Sequence, residues 1–273
     1  MTAETADPHV IATPAVPNLR DLGGRATADG GEVVHGVVFR SATLDSADVP
    51  TDPVLAALGI RTVVDLRTAG ERATRPDLLP DGARGLALDV LADATQAAAA
   101  RSGAAQVADV VRAPGGVADA FAGVDAAARM RDTYRDLVVA PSALAAYRGL
   151  VDAVLDPAGV PLLFHCTAGK DRTGWGVTVL LLAAGVDEDG AIEEFLAVNP
   201  AVRATFAPML AQLEAVGGDP TVLAPLLEVR PDYLAAALDA MRARFGSFDA
   251  YLSDGLGLTP LRVEALRNVL RAD

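Results

Sequence analysis

The only cysteine in the chain, Cys166, lies in the run HCTAGKDRTG at residues 165–174. Gly169 follows it by three residues, Arg172 by six, and Thr173-Gly174 close the run. A thiol and a guanidinium at this spacing predict hydrolysis of a phosphoester through a cysteinyl-phosphate. The stretch between Cys166 and Arg172 is long enough to wrap once around a tetrahedral dianion. The amides of Thr167, Ala168, Gly169, Lys170, Asp171 and Arg172 would then face its oxygens. Arg172 would close the ring as a planar fork on two phosphoryl oxygens. The same field would lower the thiol from about 8.5 toward neutrality and give a thiolate nucleophile. Thr173 is placed to donate its hydroxyl to the sulfur when the intermediate breaks down, and His165 to order the loop by hydrogen bonding. A lone cysteine can instead be a small core residue, but packing requires no Arg at six, no Gly at three and no Thr-Gly after the Arg.

The motif needs a strand to deliver the cysteine and a helix to carry the arginine. Val160–Phe164 is a short apolar run, and Gly174–Ala184 a longer one ending at Gly185, so the order reads strand, loop, helix. Upstream, VVHGVVFR at 33–40 reads as a hairpin or strand pair broken at Gly36, and 51–58 as a short helix. Residues 60–66 and 84–90 read as further strands. An Ala-rich stretch from Leu91 to about Val139 favours helix. From Ser142 onward nearly everything reads helical, with Ser142 and Thr259-Pro260 as starting caps and Asp187-Glu188-Asp189 at another helix start. The expected organisation is a loose arm over 1–17 and a single α/β domain over 18–273. Residues 91–140 and about 200–229 are candidate lid helices.

Composition narrows the partners. The chain has 273 residues, 51% hydrophobic and 4% aromatic, enough for a full aliphatic core, and a net charge of −13. That charge and the lack of a basic stripe argue against nucleic acid, so a phosphate site has to be a local positive spot. A single cysteine allows no internal disulfide. The first eighteen residues lack the basic and apolar regions of an ordinary signal peptide, and no apolar run approaches the roughly 20 residues of a membrane span. The expected location is therefore cytoplasmic, or outside the cell by a route without that signal. Position 164 is Phe where an ATP-binding loop ending in Gly169-Lys170 would need Gly, and no Gly-x-Ser-x-Gly elbow occurs. The three histidines are scattered and no cysteine pair exists, so neither metal nor cofactor is expected.

The run HCTAGKDRTG resembles the signature of the protein tyrosine phosphatase superfamily. Its Lys170-Asp171 pair is similar to a bacterial branch of secreted mycobacterial type, also described as atypical lipid phosphatases. Asn18-Leu19-Arg20-Asp21-Leu22-Gly23-Gly24, Phe39-Arg40-Ser41, Val63-Val64-Asp65-Leu66-Arg67 and the segment around Tyr251-Leu252 and Gly255–Leu258 resemble elements of the same branch. The resemblance implies a central sheet flanked by helices with a helical lid insertion. It also implies activity on phosphotyrosine, with phosphoserine, phosphothreonine or phosphoinositides as further substrates, Cys166 as nucleophile and Arg172 as phosphate clamp. Classical members of that superfamily carry the general acid in a Trp-Pro-Asp loop, and here the chain departs from the pattern, since its only tryptophan, Trp175, precedes Gly. Asp171 is the first candidate for the general acid and Asp89 and Asp93 are the alternatives. Arg20, Asp21, Arg40 and Asp65 fit ion pairs that hold the N-terminal element against the loop. Two other readings stay open: a primarily phosphoinositide phosphatase, and a phosphate-binding module without turnover.

Overall fold

The computed structural model describes residues 7–93, 125–215 and 218–272. At its centre is a five-stranded sheet in which a strand's two faces bury different cores. In chain order, β1 (Arg20–Asp21), β3 (Val38–Ser41), β4 (Thr62–Asp65), β5 (Arg84–Ala87) and β6 (Leu162–His165) form this sheet, while β2 (Glu32–Val33) lies outside it. The spatial order is β1-β3-β6-β4-β5; β1 is antiparallel to β3 and the other pairs are parallel. β6 is thus the middle strand, paired along its length with β3 on one side and β4 on the other. Because side chains alternate across a strand, Leu162 and Phe164 enter the larger core with Val38 and Val64, while Leu163 enters the smaller one with Phe39 and Val63. Cys166, two residues beyond Phe164, also falls on the larger-core side. In parallel sheets the carboxyl ends of the strands are where ligands bind, and that is where Cys166 stands.

The larger core is built by helices. α1 (Pro53–Leu58) puts Leu55 in the smaller core and α2 (Ala69–Thr74) fully buries no side chain, whereas α3 (Ala126–Val139) and α4 (Pro141–Val154), before β6, and α5 (Asp171–Ala184), after the loop, line the larger one. α5 buries nearly every side chain along its length and ends on Gly185 at φ 95°, a left-handed stop that glycine provides without steric cost. α6 (Glu188–Leu196), α7 (Asn199–Ala215), α8 (Pro231–Phe245) and α9 (Pro260–Leu270) complete the helical side. Among the described residues no single helix is long and apolar enough to cross a membrane.

Several expectations change. The 33–40 pair is no hairpin: β2 pairs with β7 (Arg271–Ala272) at the far end of the chain, while β3 joins the central sheet. Each half has an apolar partner surface, and these lie in different places, so the break at Gly36 separates two sheets. The N-terminal segment is docked from Asp7 on. Ala15 and Val16 are buried in the smaller core, and the Ile11 amide donates to Leu19. Ser142 is no cap: α4 starts at Pro141, and Asp93 accepts both the amide and the hydroxyl of Ser142. The lid reading of 91–140 falls largely on 94–124, outside the described residues. α3 itself is a core helix, burying Met130, Tyr134, Leu137 and Val138. In the other lid candidate, α7 buries only Val202 and Leu213 and contains Pro208.

One buried charge ties the N-terminal element to the helical layer. Glu194 of α6, 3% exposed, accepts from Arg20 at 3.0 and 3.3 Å, from Arg40 at 3.3 Å and from Arg25. Burial alone would raise its carboxyl, but Arg40, Arg25 and Arg20 together hold it below the usual range. Glu194→Gln leaves this cationic cluster short of a counter-charge and should lower stability by about 3 kcal/mol at neutral pH. The depressed carboxyl contributes above the ordinary glutamate range and stops contributing as pH falls through its folded value. The deficit in urea unfolding should therefore shrink as the buffer is acidified; a constant deficit would contradict the charge argument.

Candidate active site

The loop from Cys166 to Lys170 leaves β6 and enters α5, with Lys170 as the residue before the first helical position. Gly169 has φ 66°, and a Cβ there would lie 2.2 Å from the Ser41 carbonyl oxygen. Only glycine fits, because the loop is pressed against the end of β3. Among the described residues no amide from Thr167 to Asp171 donates to a protein acceptor. These amides and the free N–H groups of the first turn of α5 constitute an anion-binding nest. The structure thus brings together all the loop residues named from the sequence.

Arg172 is 4% exposed and has a partner that was not anticipated. Its Nη1 and Nη2 donate to the two carboxylate oxygens of Glu71 at 2.7 and 2.8 Å, and Thr167 Oγ1 also donates to Glu71. Burial opposes charge on Glu71, but the Arg172 fork outweighs it and holds the carboxyl well below the usual range. Burial likewise opposes the Arg172 cation, and Glu71 and Cys166 more than compensate, keeping the guanidinium charged. With Glu71 on its terminal nitrogens, the Nε edge of the fork is left for an oxyanion. Glu71 is also the third residue of α2, where it closes a capping box with Thr68. The Thr68-x-x-Glu71 spacing was a visible sequence signal for the cap, but it gives no sign of the second partner.

Asp171, the first candidate acid, is engaged by two donors. Tyr134 of α3 donates its hydroxyl to Oδ1 at 2.8 Å, and Lys170 Nζ lies 2.8 Å from Oδ1 and 2.7 Å from Oδ2. The Lys170 side chain is buried with this pair as its outlet, although it is the only lysine beside 22 arginines. Burial and the nearby Asp171 carboxylate push the Tyr134 phenol well above its ordinary value, so it remains a donor. Asp89 and Asp93 are occupied as structural acceptors. Asp89 takes the Ala69 and Leu91 amides, and Asp93 holds the start of α4, where the Ser142 hydroxyl keeps its carboxyl below the usual range.

His165 is fully buried, its Nδ1 3.1 Å from the Cys166 carbonyl oxygen and its Nε2 3.0 Å from Asp77. Burial would raise the Asp77 carboxyl, but His165 and Arg67 bring it well below the usual range. Asp65, Asp77 and His165 lie close enough to gather round a cation, and the Arg67 guanidinium already fills that place, 2.7 Å from Asp65 and 2.8 Å from Asp77. Thr173 is buried, yet its hydroxyl has no hydrogen-bond partner among the described residues, so the expected bond to the sulfur is not formed here. Of the charged residues read as structural, Arg20, Arg40 and Asp65 are in buried ion pairs, and Asp21 accepts the Gly23 and Gly36 amides.

The close approach at Gly169 is directly testable. Gly169→Ala must move the loop off Ser41 as well as bear the left-handed φ, which should cost about 2 kcal/mol of stability and at least roughly tenfold in affinity for inorganic phosphate. Calorimetric titration with phosphate, alongside thermal melts, checks both.

Comparison with known proteins agrees with this geometry. A family model described as tyrosine phosphatase family matches residues 11–272. A protein of Cupriavidus necator named as a tyrosine-protein phosphatase is 35% identical over 261 residues, which cover 91% of this chain and 84% of that one. The triple specificity protein phosphatase PtpB of Mycobacterium tuberculosis is 34% identical over 276 residues, covering 94% of this chain and 97% of its own length. The crystal structure of Pseudomonas aeruginosa TpbA matches 85% of this chain and 99% of its own at 19% identity, with a TM-score of 0.33, and bears no weight here. Since the family match spans the docked N-terminal segment, the central sheet, the phosphate loop and the closing helix alike, the chain belongs to the tyrosine phosphatase family.

Proposed function

We propose that the protein hydrolyses phosphotyrosine in two steps, with Cys166 as nucleophile, Arg172 as phosphate clamp and Asp171 as the proton-handling group. Membership of the family makes the chain a cysteine-based tyrosine phosphatase; the proposal adds the roles of residues. The observation that carries it is the nest of undonated amides between Cys166 and Arg172, closed by an arginine that Glu71 keeps oriented.

In the first step the Cys166 sulfur attacks phosphorus and the bond from phosphorus to the tyrosyl oxygen breaks. The departing phenoxide takes a proton from Asp171. In the second step water attacks phosphorus, the sulfur–phosphorus bond breaks to return the thiolate, and the water's proton goes to Asp171. The resting arrangement, with Tyr134 and Lys170 both donating, shows Asp171 as an acceptor. An arriving phosphate dianion competes for Lys170 and frees one carboxylate oxygen; the proton spent in the first turnover comes from solvent, and the second step renews it. Tyr134 keeps hold of one oxygen while the other turns to the leaving group.

The buried Lys170-Asp171 pair also supports a second reading, in which the principal substrate is a phosphoinositide whose additional phosphate draws on Lys170. Rates on phosphotyrosyl peptides and soluble inositol phosphates, measured side by side, separate the two. Phosphoserine and phosphothreonine belong to the first reading as slower substrates, because an alkoxide depends more on protonation than a phenoxide does. α7, with few buried anchors, is the element proposed as a lid over the site.

Cys166→Ser should abolish hydrolysis of p-nitrophenyl phosphate measured with EDTA present, while binding of inorganic phosphate survives. Retained turnover would refute the covalent route. Asp171→Asn should slow phenyl phosphate roughly a hundredfold but p-nitrophenyl phosphate far less, since p-nitrophenolate departs readily without a proton. Equal losses on the two substrates would remove Asp171 as the donor.

A further inference from the structure

The two N-terminal motifs have no part in the chemistry above, yet both reach the phosphate loop. A peptide unit is planar and trans, so the carbonyl of one residue and the amide of the next point in opposite directions. The amides of the nest can face an anion only while the carbonyls one residue earlier face away, and a carbonyl turned into protein needs a donor. Each loop carbonyl has one. Cys166 O faces His165 Nδ1 at 3.1 Å, Thr167 O accepts from the Thr43 amide at 3.2 Å, and Lys170 O accepts from the Gly174 amide at 2.7 Å. Those donors are adjacent in sequence or belong to the neighbouring strand end and helix.

The middle two have no backbone donor. Ala168 O and Gly169 O both accept from the single side-chain amide of Asn18, at 3.2 and 3.1 Å, and Gly169 O also accepts from Arg40 Nη2. Two carbonyl acceptors fix the amide with its nitrogen toward the loop. Asn18 is 9% exposed and sits at φ 56°, a left-handed conformation that asparagine adopts more readily than most residues. Its Oδ1 and the Arg40 Nε are buried without partners, so both side chains give up hydrogen bonds in order to reach the loop. Arg40 is wholly buried, and burial pushes its guanidinium down to about 10 despite Glu194 beside it.

We propose that Asn18 and Arg40 are positioning residues that clamp the carbonyls of Ala168 and Gly169 outward and thereby aim the amides of Gly169 and Lys170 at the phosphate. The clamp deepens the reading of this loop as the phosphate site and rests on it. Asn18 supplies its two amide hydrogens to consecutive carbonyls, and Arg40, held from behind by Glu194, fixes the second of them.

The test measures phosphate binding without turnover. In a Cys166→Ser background, inorganic phosphate is titrated calorimetrically into the parent, Asn18→Gly and Asn18→Ser. Glycine accepts the left-handed φ but removes both donors; serine restores one. The expected result is a dissociation constant raised about tenfold in Asn18→Gly and by less in Asn18→Ser. The Gly169 and Lys170 amide resonances should lose their response to phosphate while those of Thr167 and Ala168 keep it. A merely structural role would lower the melting temperature and weaken all the amides together. Parent-like affinity in folded Asn18→Gly overturns the clamp. If the Cys166→Ser parent binds no phosphate, the reading of the site itself fails instead. Should Asn18→Gly not fold, Arg40→Lys gives the same readout through the Gly169 carbonyl: a selective loss at Lys170 supports the clamp, and an unchanged amide pattern overturns it.

Discussion

Everything around Cys166 answers to a constraint of the peptide plane. A loop that offers its amides to an anion must point its carbonyls into the protein, where they need donors. The fold provides them from five places: the ring of His165, the Thr43 amide beyond β3, the Asn18 side chain, the Arg40 guanidinium and the first turn of α5. This is why the loop follows the middle strand. Only there is it flanked by β3, whose end presses on Gly169, and by β4, whose far end leads through Arg67 to α2 and Glu71. The same loop on an edge strand would have lost one side of that frame.

Charge imposes a second demand. Acidic residues outnumber basic ones 36 to 23, so the mean field repels a phosphate. The cations that matter are placed where solvent does not screen them: Arg20, Arg40, Arg67, Lys170 and Arg172 are each no more than 4% exposed. Buried cations are costly alone, and each has an acid: Glu194 for Arg20 and Arg40, Asp65 and Asp77 for Arg67, Asp171 for Lys170, Glu71 for Arg172. The pairing preserves the charges through folding, and three of them, Arg40, Lys170 and Arg172, lie in or against the loop. Lys170 differs from the others. Its ammonium is a compact charge with rotatable donors, able to pass from Asp171 to an arriving phosphate, which a planar guanidinium locked on a carboxylate does less easily.

What the sequence made legible was whatever is local. Strand, loop and helix around HCTAGKDRTG follow from hydrophobic pattern and spacing, and the start of α9 matches the structure because Thr259 caps the helix and Pro260 opens it within one turn. Partners brought together by the fold were not legible. Glu71 stands at capping-box spacing from Thr68, which says nothing of Arg172; Tyr134 lies in a stretch read only as Ala-rich helix; nothing next to Glu194 in the chain marks it as the buried partner of three arginines. The alternatives for the general acid suffered in the same way, since nothing local shows that Asp93 has been taken by Ser142 at the head of α4. The lone lysine was countable from the start, and its burial gives that count a meaning.

The helical insertion shows how packing distinguishes a wall from a lid. α3 buries Tyr134 between Phe195 and Tyr233, with ring centroids 5.7 and 5.6 Å away, and sends the phenol hydroxyl to Asp171. Moving α3 would expose an aromatic cluster, break the Arg131–Asp232 ion pair and release one of the two donors on the Asp171 carboxylate. It is therefore part of the rigid site, and the orientation of Asp171 depends on it. α7 carries the opposite balance: two buried side chains, an internal proline and a small satellite cluster with Leu223 and Leu227. An opening motion costs least where the least apolar surface is buried. Of the two helices α7 is thus the less costly to displace, while α3 stays packed and holds the Tyr134 hydroxyl on the Asp171 carboxylate.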